Sequence, residues 1–226
     1  MPVPPMQHPD IPTHMTWEEL ERLPDEIASR IELWNGRVVW IDGGPELCRP
    51  GNKPDEHQVF IGRLWNALER AARKDMANDP ERCWRASFET NIFFGRTGKS
   101  DFATPDFMVR RCSGGPYQDI RADEVLLVGE VLSPSNTPVD IDAKKGRYAD
   151  AGIPWYWEVH LARDDSAIHT VRAHALETRP GQLPDGVRPL HPANYLAIGE
   201  WSPADVEGIV IDHPFPIHIP WSELEF

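Results

Sequence analysis

Residues 129–157, GEVLSPSNTPVDIDAKKGRYADAGIPWYW, carry the clearest secondary-structure signals of the chain. This stretch joins the end of one apolar run, VLLVGEVL (125–132), to a second, PWYWEVH (154–160). A near-continuous apolar run predicts a strand that is buried on both faces. Between the two runs, Thr137 followed by proline predicts the start of a helix, and Gly152 followed by a second proline predicts its end. We therefore expect a strand, a helix and a second strand in succession.

The flanking segments predict a mixed sheet flanked by helices, which is an α/β fold. Thr16 begins a capping box and predicts a short helix. Asn35-Gly36 between two apolar runs predicts a two-residue β-hairpin. Residues 55–75 carry an apolar stripe at helical spacing and predict a long core helix. Further strands are predicted in CWRASFETNIFF, PDFMVRR, AIHTVRAHAL and EGIVI.

Length and composition favour one soluble domain with appendages. The chain has 226 residues, of which 40% are hydrophobic. We expect a flexible proline-rich tail over residues 1–15 and one domain over residues 16–226, with a C-terminal β extension from about residue 178. No apolar run reaches the roughly 20 residues of a membrane helix, and the N-terminal segment lacks the features of a secretion signal. We therefore expect a cytoplasmic protein that does not contact membranes.

The three cysteines, Cys48, Cys83 and Cys112, are far apart and form no CxxC motif. Their odd number and wide spacing favour neither a disulfide framework nor a cysteine zinc site. A reducing compartment is consistent with this pattern.

Three residues could carry chemistry. Asp106 lies at the start of PDFMVRR, Glu130 lies near the end of VLLVGEVL, and Lys144 lies on the helix that follows. Two carboxylates on neighbouring strands can hold a hard divalent cation, which polarises a phosphoryl oxygen. A nearby lysine can orient a water molecule or neutralise charge in the transition state. The set suits hydrolysis of a phosphodiester, although each residue also has an ordinary structural interpretation, such as a turn cap or a surface ion pair.

The motifs around these residues resemble the Uma family of bacterial proteins. The resemblance rests on Pro105-Asp106, on EVLSPS from Glu130, on Asp140, Lys144 and Tyr148, and on AGIPWYW. It covers roughly residues 16–175. Members of that family are described as "putative restriction endonucleases" and belong to the PD-(D/E)XK nuclease superfamily. The resemblance implies a restriction-endonuclease-like core, DNA as the substrate, and Mg²⁺ or Mn²⁺ as the cofactor.

The sequence departs from the superfamily pattern at the lysine. Two positions after the second acid stands Leu132. In the resembled family this lysine lies on the following helix, where Lys144 matches it. Lys145 would point about 100° away around that helix, whereas Lys144 shares a helix face with Asp140 and Tyr148. The turn at residues 133–135 would return this helix to the metal.

The resemblance also implies roles for the individual residues. The expected metal ligands are Asp106, Glu130 and the carbonyl of Val131, and the expected catalytic residues are Asp106, Glu130 and Lys144. Glu32, His57 and Tyr148 match positions that could complete the site. Many enzymes with this core act as dimers, so a homodimer is consistent with the resemblance. Trp155 and His160 stand where this family often has acidic residues, which leaves open whether the domain is active.

Two other functions stay open from the sequence. The net charge of −13 argues against a broad basic footprint for nucleic acid, although a metal ion can supply positive charge locally. A catalytically inactive nuclease-fold module that binds another protein would suit that charge. A metal-dependent hydrolase of another phosphate ester, such as RNA or a nucleotide, would use the same residues.

Overall fold

The computed structural model describes residues 11–41, 55–132, 136–177 and 193–226. Within these ranges the α-helices are α1 (Trp17–Leu20), α2 (Asp25–Ala28), α3 (Asp55–Asn78) and α4 (Pro138–Asp150). The strands are β1 (Ile31–Trp34), β2 (Arg37–Trp40), β3 (Trp84–Phe88), β4 (Ile92–Phe93), β5 (Phe102–Ala103), β6 (Phe107–Arg111), β7 (Ile120–Arg121), β8 (Val125–Leu132), β9 (Trp155–Leu161), β10 (Ile168–Glu177), β11 (Asn194–Trp201), β12 (Ile209–Ile211) and β13 (Ile217–Ile219).

The main sheet of the described residues has the strand order β11-β10-β9-β8-β6-β3. Strands β8 and β9 are parallel and the other pairs are antiparallel, so the predicted mixed sheet is confirmed. All eight residues of β8 are buried, because α3 packs on one face of the sheet and α4 on the other. Phe60, Leu64 and Leu68 of α3 contact the first face, and Tyr148 of α4 contacts the second.

The predicted unit of strand, helix and strand is β8, α4 and β9. The Thr137 hydroxyl accepts a hydrogen bond from the Asp140 amide and caps α4, and Pro138 is the first helical residue. Gly152, with a φ of 77°, follows the end of the helix in the left-handed region. The parallel register places Glu130 of β8 beside Glu158 of β9. Each of these boundaries follows the sequence prediction.

A second sheet has the order β2-β1-β5-β4-β7, and Glu32 of its strand β1 reaches Lys144 of α4. The predicted hairpin joins β1 to β2 through Asn35 and Gly36, whose φ angles are 53° and 78°. Positive φ at both turn residues is the requirement that favours Asn-Gly. Strand β5 lies against β1 and leads directly to the segment that carries Asp106.

The run CWRASFETNIFF was predicted as one strand, and this prediction is wrong. The run is divided into β3 and β4, which belong to different sheets. The break falls at Glu89, which has a φ of 42° and whose amide donates to the Asp106 carbonyl at 3.1 Å. A left-handed residue cannot continue a strand, and no local pattern marks this position.

The expectation that the cysteines form no disulfide is also wrong. Cys83 and Cys112 are joined by a disulfide, with 5.4 Å between their Cα atoms. They flank the ends of β3 and β6, where Trp84 pairs with Arg111, and the Cys112 amide donates to the Cys83 carbonyl. Strand pairing brings the cysteines together over 29 residues, which spacing alone cannot reveal. Cys48 lies outside the described residues.

The C-terminal part contributes more regular structure than the sequence indicated. Strand β11 pairs along its length with β10 and extends the main sheet. The hairpin of β12 and β13 packs its isoleucines against the core beneath α3. No helix in the described ranges is long and apolar enough to cross a membrane. At the other end of the chain, residues 1–10 of the predicted tail lie outside the described residues, as do the turn at 133–135 and residues 178–192.

Candidate metal centre

Polar side chains from five separate segments form one buried cluster. Glu32 comes from β1, His57 from α3, Asp106 from the residue before β6, Glu130 from β8, and Lys144 from α4. The two glutamates, the aspartate and the histidine are all buried. The structure thus gathers the predicted acids, histidine and lysine in one centre.

Glu130 is held by two side chains that lie one helical turn apart. The Tyr148 hydroxyl donates to Oε1 at 2.7 Å. The Lys144 ammonium lies 2.9 Å from Oε1 and donates to Oε2 at 3.0 Å. The spacing of four residues on α4 puts both donors on the face that covers β8. Asp140, predicted on that face, instead accepts from the Thr137 hydroxyl at the start of the helix.

The two consecutive lysines of α4 contact different carboxylates. Lys144 contacts Glu130, whereas Lys145 Nζ lies 2.5 Å from Oε1 of Glu158 on the neighbouring strand. The rotation of about 100° between successive helical residues accounts for this separation. Lys144 is therefore the lysine that reaches the centre.

Glu32 provides a second carboxylate for Lys144. Its Oε1 lies 3.3 Å from Lys144 Nζ and accepts the Thr104 amide at 2.8 Å. The Trp34 indole donates to its Oε2 at 2.9 Å, and the Thr104 carbonyl accepts from Lys144 at 3.2 Å. The sequence analysis missed Trp34 and Thr104. The alternation of β1, which directs residues two apart to one side, is the signal that could have found Trp34.

The Asp106 side chain accepts a backbone hydrogen bond from β8, next to the pairing of β6 with β8. Its Oδ2 accepts the Val131 amide at 2.7 Å, just beyond the Phe107–Gly129 pair. His57 Nε2 lies 2.9 Å from the Val131 carbonyl and 3.3 Å from Asp106 Oδ2. Both neighbours are acceptors, so we assign a proton to Nε2. His57 Nδ1 is buried without a hydrogen-bond partner in the described part of the chain.

Burial and charge shift the pKa values of the groups in the centre. Burial raises the pKa of Glu130 to about 7; Lys144 and the Tyr148 hydroxyl act against this rise, and Asp106 adds to it. The pKa of Lys144 is also raised, because Glu130, Glu32 and Asp106 outweigh the effect of burial. Burial keeps the pKa of Tyr148 well above its ordinary value, so the hydroxyl stays a donor. Fully ionised, three carboxylates and one ammonium carry a net charge of −2.

The charge and the donor atoms of this centre fit a hard divalent cation. Such an ion would balance a charge of −2 and takes oxygen ligands. In the described residues, no group of three or more His, Cys, Asp or Glu side chains is arranged to hold a metal ion. Mg²⁺ does not require such a group, because it usually takes one or two carboxylates and keeps several waters. Asp106, Glu130 and the Val131 carbonyl would satisfy that preference.

A cleft of about 520 Å³ leads to Asp106. One wall comes from α1 and α2, and the other includes Asn91 and Thr104. The carboxylates of Glu21 and Asp25 also line it. These acids give the cleft a negative character, so any phosphate there would depend on positive charge within the centre.

Comparison with known proteins gives a family and a fold. Residues 17–191 match the model of the Uma2 family, described as "Putative restriction endonuclease". A similar solved structure is described as "a putative nuclease belonging to DUF820" from Anabaena variabilis ATCC 29413. The two share 16% sequence identity with a TM-score of 0.52, over 93% of this chain and 97% of that chain. No curated protein matches this chain.

Proposed function

The chain belongs to the Uma2 family of "putative restriction endonucleases", and from this premise we propose that it is a divalent-metal-dependent endonuclease that hydrolyses DNA phosphodiester bonds. The observation that carries the proposal is the buried group of three carboxylates facing one ammonium. Buried charges are costly unless they are paired or coordinate a metal. A bound divalent cation would complete the charge balance and provide the site for a phosphate.

Asp106 and Glu130 would hold the ion through their carboxylate oxygens, together with the Val131 carbonyl. Bound Mg²⁺ or Mn²⁺ supplies Lewis-acid stabilisation of the phosphoryl group. Lys144, whose raised pKa keeps it charged, would orient the attacking water and neutralise negative charge in the transition state. Its contacts with Glu130 and Thr104 fix the ammonium before the substrate arrives.

His57, Glu32 and Tyr148 would act as positioning residues. The Nε2–H group of His57 bridges Asp106 and the Val131 carbonyl, which fixes the orientation of two proposed ligands. Glu32 gives Lys144 a second carboxylate contact, and Tyr148 donates a hydrogen bond to Glu130. Outer contacts of this kind orient metal ligands, and their loss typically costs 10- to 100-fold in metal affinity or activity.

The direct test is Mg²⁺ binding by calorimetry together with nicking of supercoiled plasmid. We expect the wild type to bind Mg²⁺ and to nick DNA only with the ion present, and Glu130→Gln to lose both. Glu207→Gln makes the same charge change at an exposed position and should behave as wild type.

The other outcomes separate the alternatives. Mg²⁺ binding without nicking would reject DNA as the substrate and favour another phosphate ester, so an RNA and a nucleotide are tested in parallel. A wild-type chain that binds neither Mg²⁺ nor Mn²⁺ would overturn the proposal and favour the inactive interaction module, which the net charge of −13 suits.

A further inference from the structure

Two arginines face each other across β3 and β6, away from the metal centre. Arg85 and Arg110 are direct partners in the antiparallel register, so their side chains share a face of the sheet. Arg110 is 9% exposed, and Arg85 is exposed. Like charges directly opposite each other destabilise a sheet. The pair therefore requires an explanation in a chain whose net charge is strongly negative.

Arg110 is buried without a carboxylate partner. Its Nη1 donates to the Arg111 carbonyl at 3.1 Å and to the Ser113 hydroxyl at 2.7 Å, and both acceptors are neutral. Its Nε is buried and makes no hydrogen bond within the described ranges. Neither arginine forms an ion pair within 4.0 Å with any described carboxylate. Burial and the charge of Arg85 lower the pKa of Arg110, which Glu124 only partly opposes. Among the described residues, Arg110 therefore has no carboxylate in direct contact.

The disulfide holds the arginine pair in register. Cys83 and Cys112 flank the strand ends that carry the two guanidinium groups. This cross-link limits how far the strands can move apart to relieve the repulsion. Strand β3 is the last strand of its sheet in the described structure, so Arg85 lies at an edge that a ligand can approach.

We propose that Arg85 and Arg110, together with the Ser113 hydroxyl, form a binding site for a phosphate-class oxyanion. Guanidinium groups bind such oxyanions through charge-assisted, often bidentate hydrogen bonds. Ser113 accepts from Arg110 and keeps its own hydroxyl proton to donate to the anion. Arg110 lies four residues beyond Asp106, and extended backbone spans about 13 Å over four residues. The anion site is therefore distinct from the metal centre.

The test uses inorganic phosphate with the full chain in EDTA, at constant ionic strength, by calorimetry. We expect saturable phosphate binding to the wild type, with sulfate competing for the same site. Arg85→Gln should weaken binding at least about tenfold, because it removes a charge-assisted donor. Arg163→Gln removes the same charge from another exposed position and should bind phosphate as the wild type does.

Ser113→Ala provides a second variant that leaves both charges in place, and we expect it to weaken binding more mildly. Wild-type affinity in Arg85→Gln would overturn the proposal. So would the absence of saturable phosphate binding in the wild type.

The same variants distinguish two sources of the anion. If it is a backbone phosphate of DNA, Arg85→Gln should reduce the slope of log K for oligonucleotide binding against log salt concentration by about one. Arg163→Gln should leave this slope unchanged. If oligonucleotide binding is unchanged while phosphate binding is lost, the ligand is a free phosphate compound. Only the DNA arm rests on the proposed function. Phosphate binding needs neither metal nor cleavage, so a chain that fails to nick plasmid can still confirm this site.

Discussion

Replacing Glu130 by glutamine should change how stability depends on pH. Burial raises the pKa of Glu130 from its ordinary value of 4.5 to about 7 in the folded chain. Between these two values the folded chain binds a proton that the unfolded chain has released. The free energy of unfolding therefore falls as the pH rises through this window. Above the window, the full destabilisation from ionising the buried Glu130 carboxyl is present. The interval between the two pKa values corresponds to about 3 kcal/mol.

Urea unfolding of the wild type and of Glu130→Gln at pH 5 and pH 8, followed by tryptophan fluorescence, measures this contribution. Other titrating groups largely cancel in the difference between the two chains. We expect the free energy of unfolding of Glu130→Gln, relative to that of the wild type, to rise by about 2 to 3 kcal/mol from pH 5 to pH 8. Glu207→Gln, at an exposed position, should show no such change.

The same stability difference between wild type and Glu130→Gln at both pH values would contradict a raised pKa of Glu130. It would mean that the Lys144 ammonium outweighs burial and keeps Glu130 ionised throughout. Saturating Mg²⁺ gives an independent check. An ion held by Glu130 favours the carboxylate, so the loss of wild-type stability between pH 5 and pH 8 should shrink when the ion is present.

Three further substitutions test the contacts of β8 and α4. Lys144→Met should lower the free energy of unfolding at pH 8 by about 3 to 5 kcal/mol, because it leaves buried carboxylates without their ammonium; a loss under about 1 kcal/mol in urea would contradict this. Tyr148→Phe removes a donor to Glu130 and should raise the pKa of that carboxyl further, which carbon-13 NMR would detect; an unchanged pKa would contradict the role of the hydroxyl. Gly129→Ala places a Cβ atom 2.0 Å from a ring atom of the neighbouring strand and should lower the Tm, whereas Gly114→Ala meets no atom within 4 Å and should not; equal Tm values would refute the packing argument.

The parts of the fold that could be predicted from the sequence are those with local signals. The apolar run of β8, the Thr-Pro start of α4 and the Asn-Gly turn each depend on adjacent residues. The break at Glu89 and the Cys83–Cys112 disulfide depend on which strands become neighbours. Strand pairing over 29 residues of sequence has no local pattern, so these features were predicted wrongly.

The residues of the candidate site also differ in whether a local sequence pattern marks them. Asp106, Glu130 and Lys144 were predicted because they stand within motifs that resemble a family. Thr104 could not be predicted, because it acts through its backbone amide and carbonyl and any residue type carries those atoms. The Arg85–Arg110 pair was missed because the two residues meet only through the register of β3 and β6.

The centre is assembled from residues that span positions 32 to 144, and this order matters during synthesis. A chain emerges from the ribosome with its N-terminal part first, so the three carboxylates are made before the lysine that faces them. Strand β9, which flanks Glu130 in the sheet, follows later still. An unfinished chain therefore lacks both the ammonium and the neighbouring strand of this centre. For the proposed nuclease activity, an incomplete chain would lack the lysine that is assigned to the attacking water.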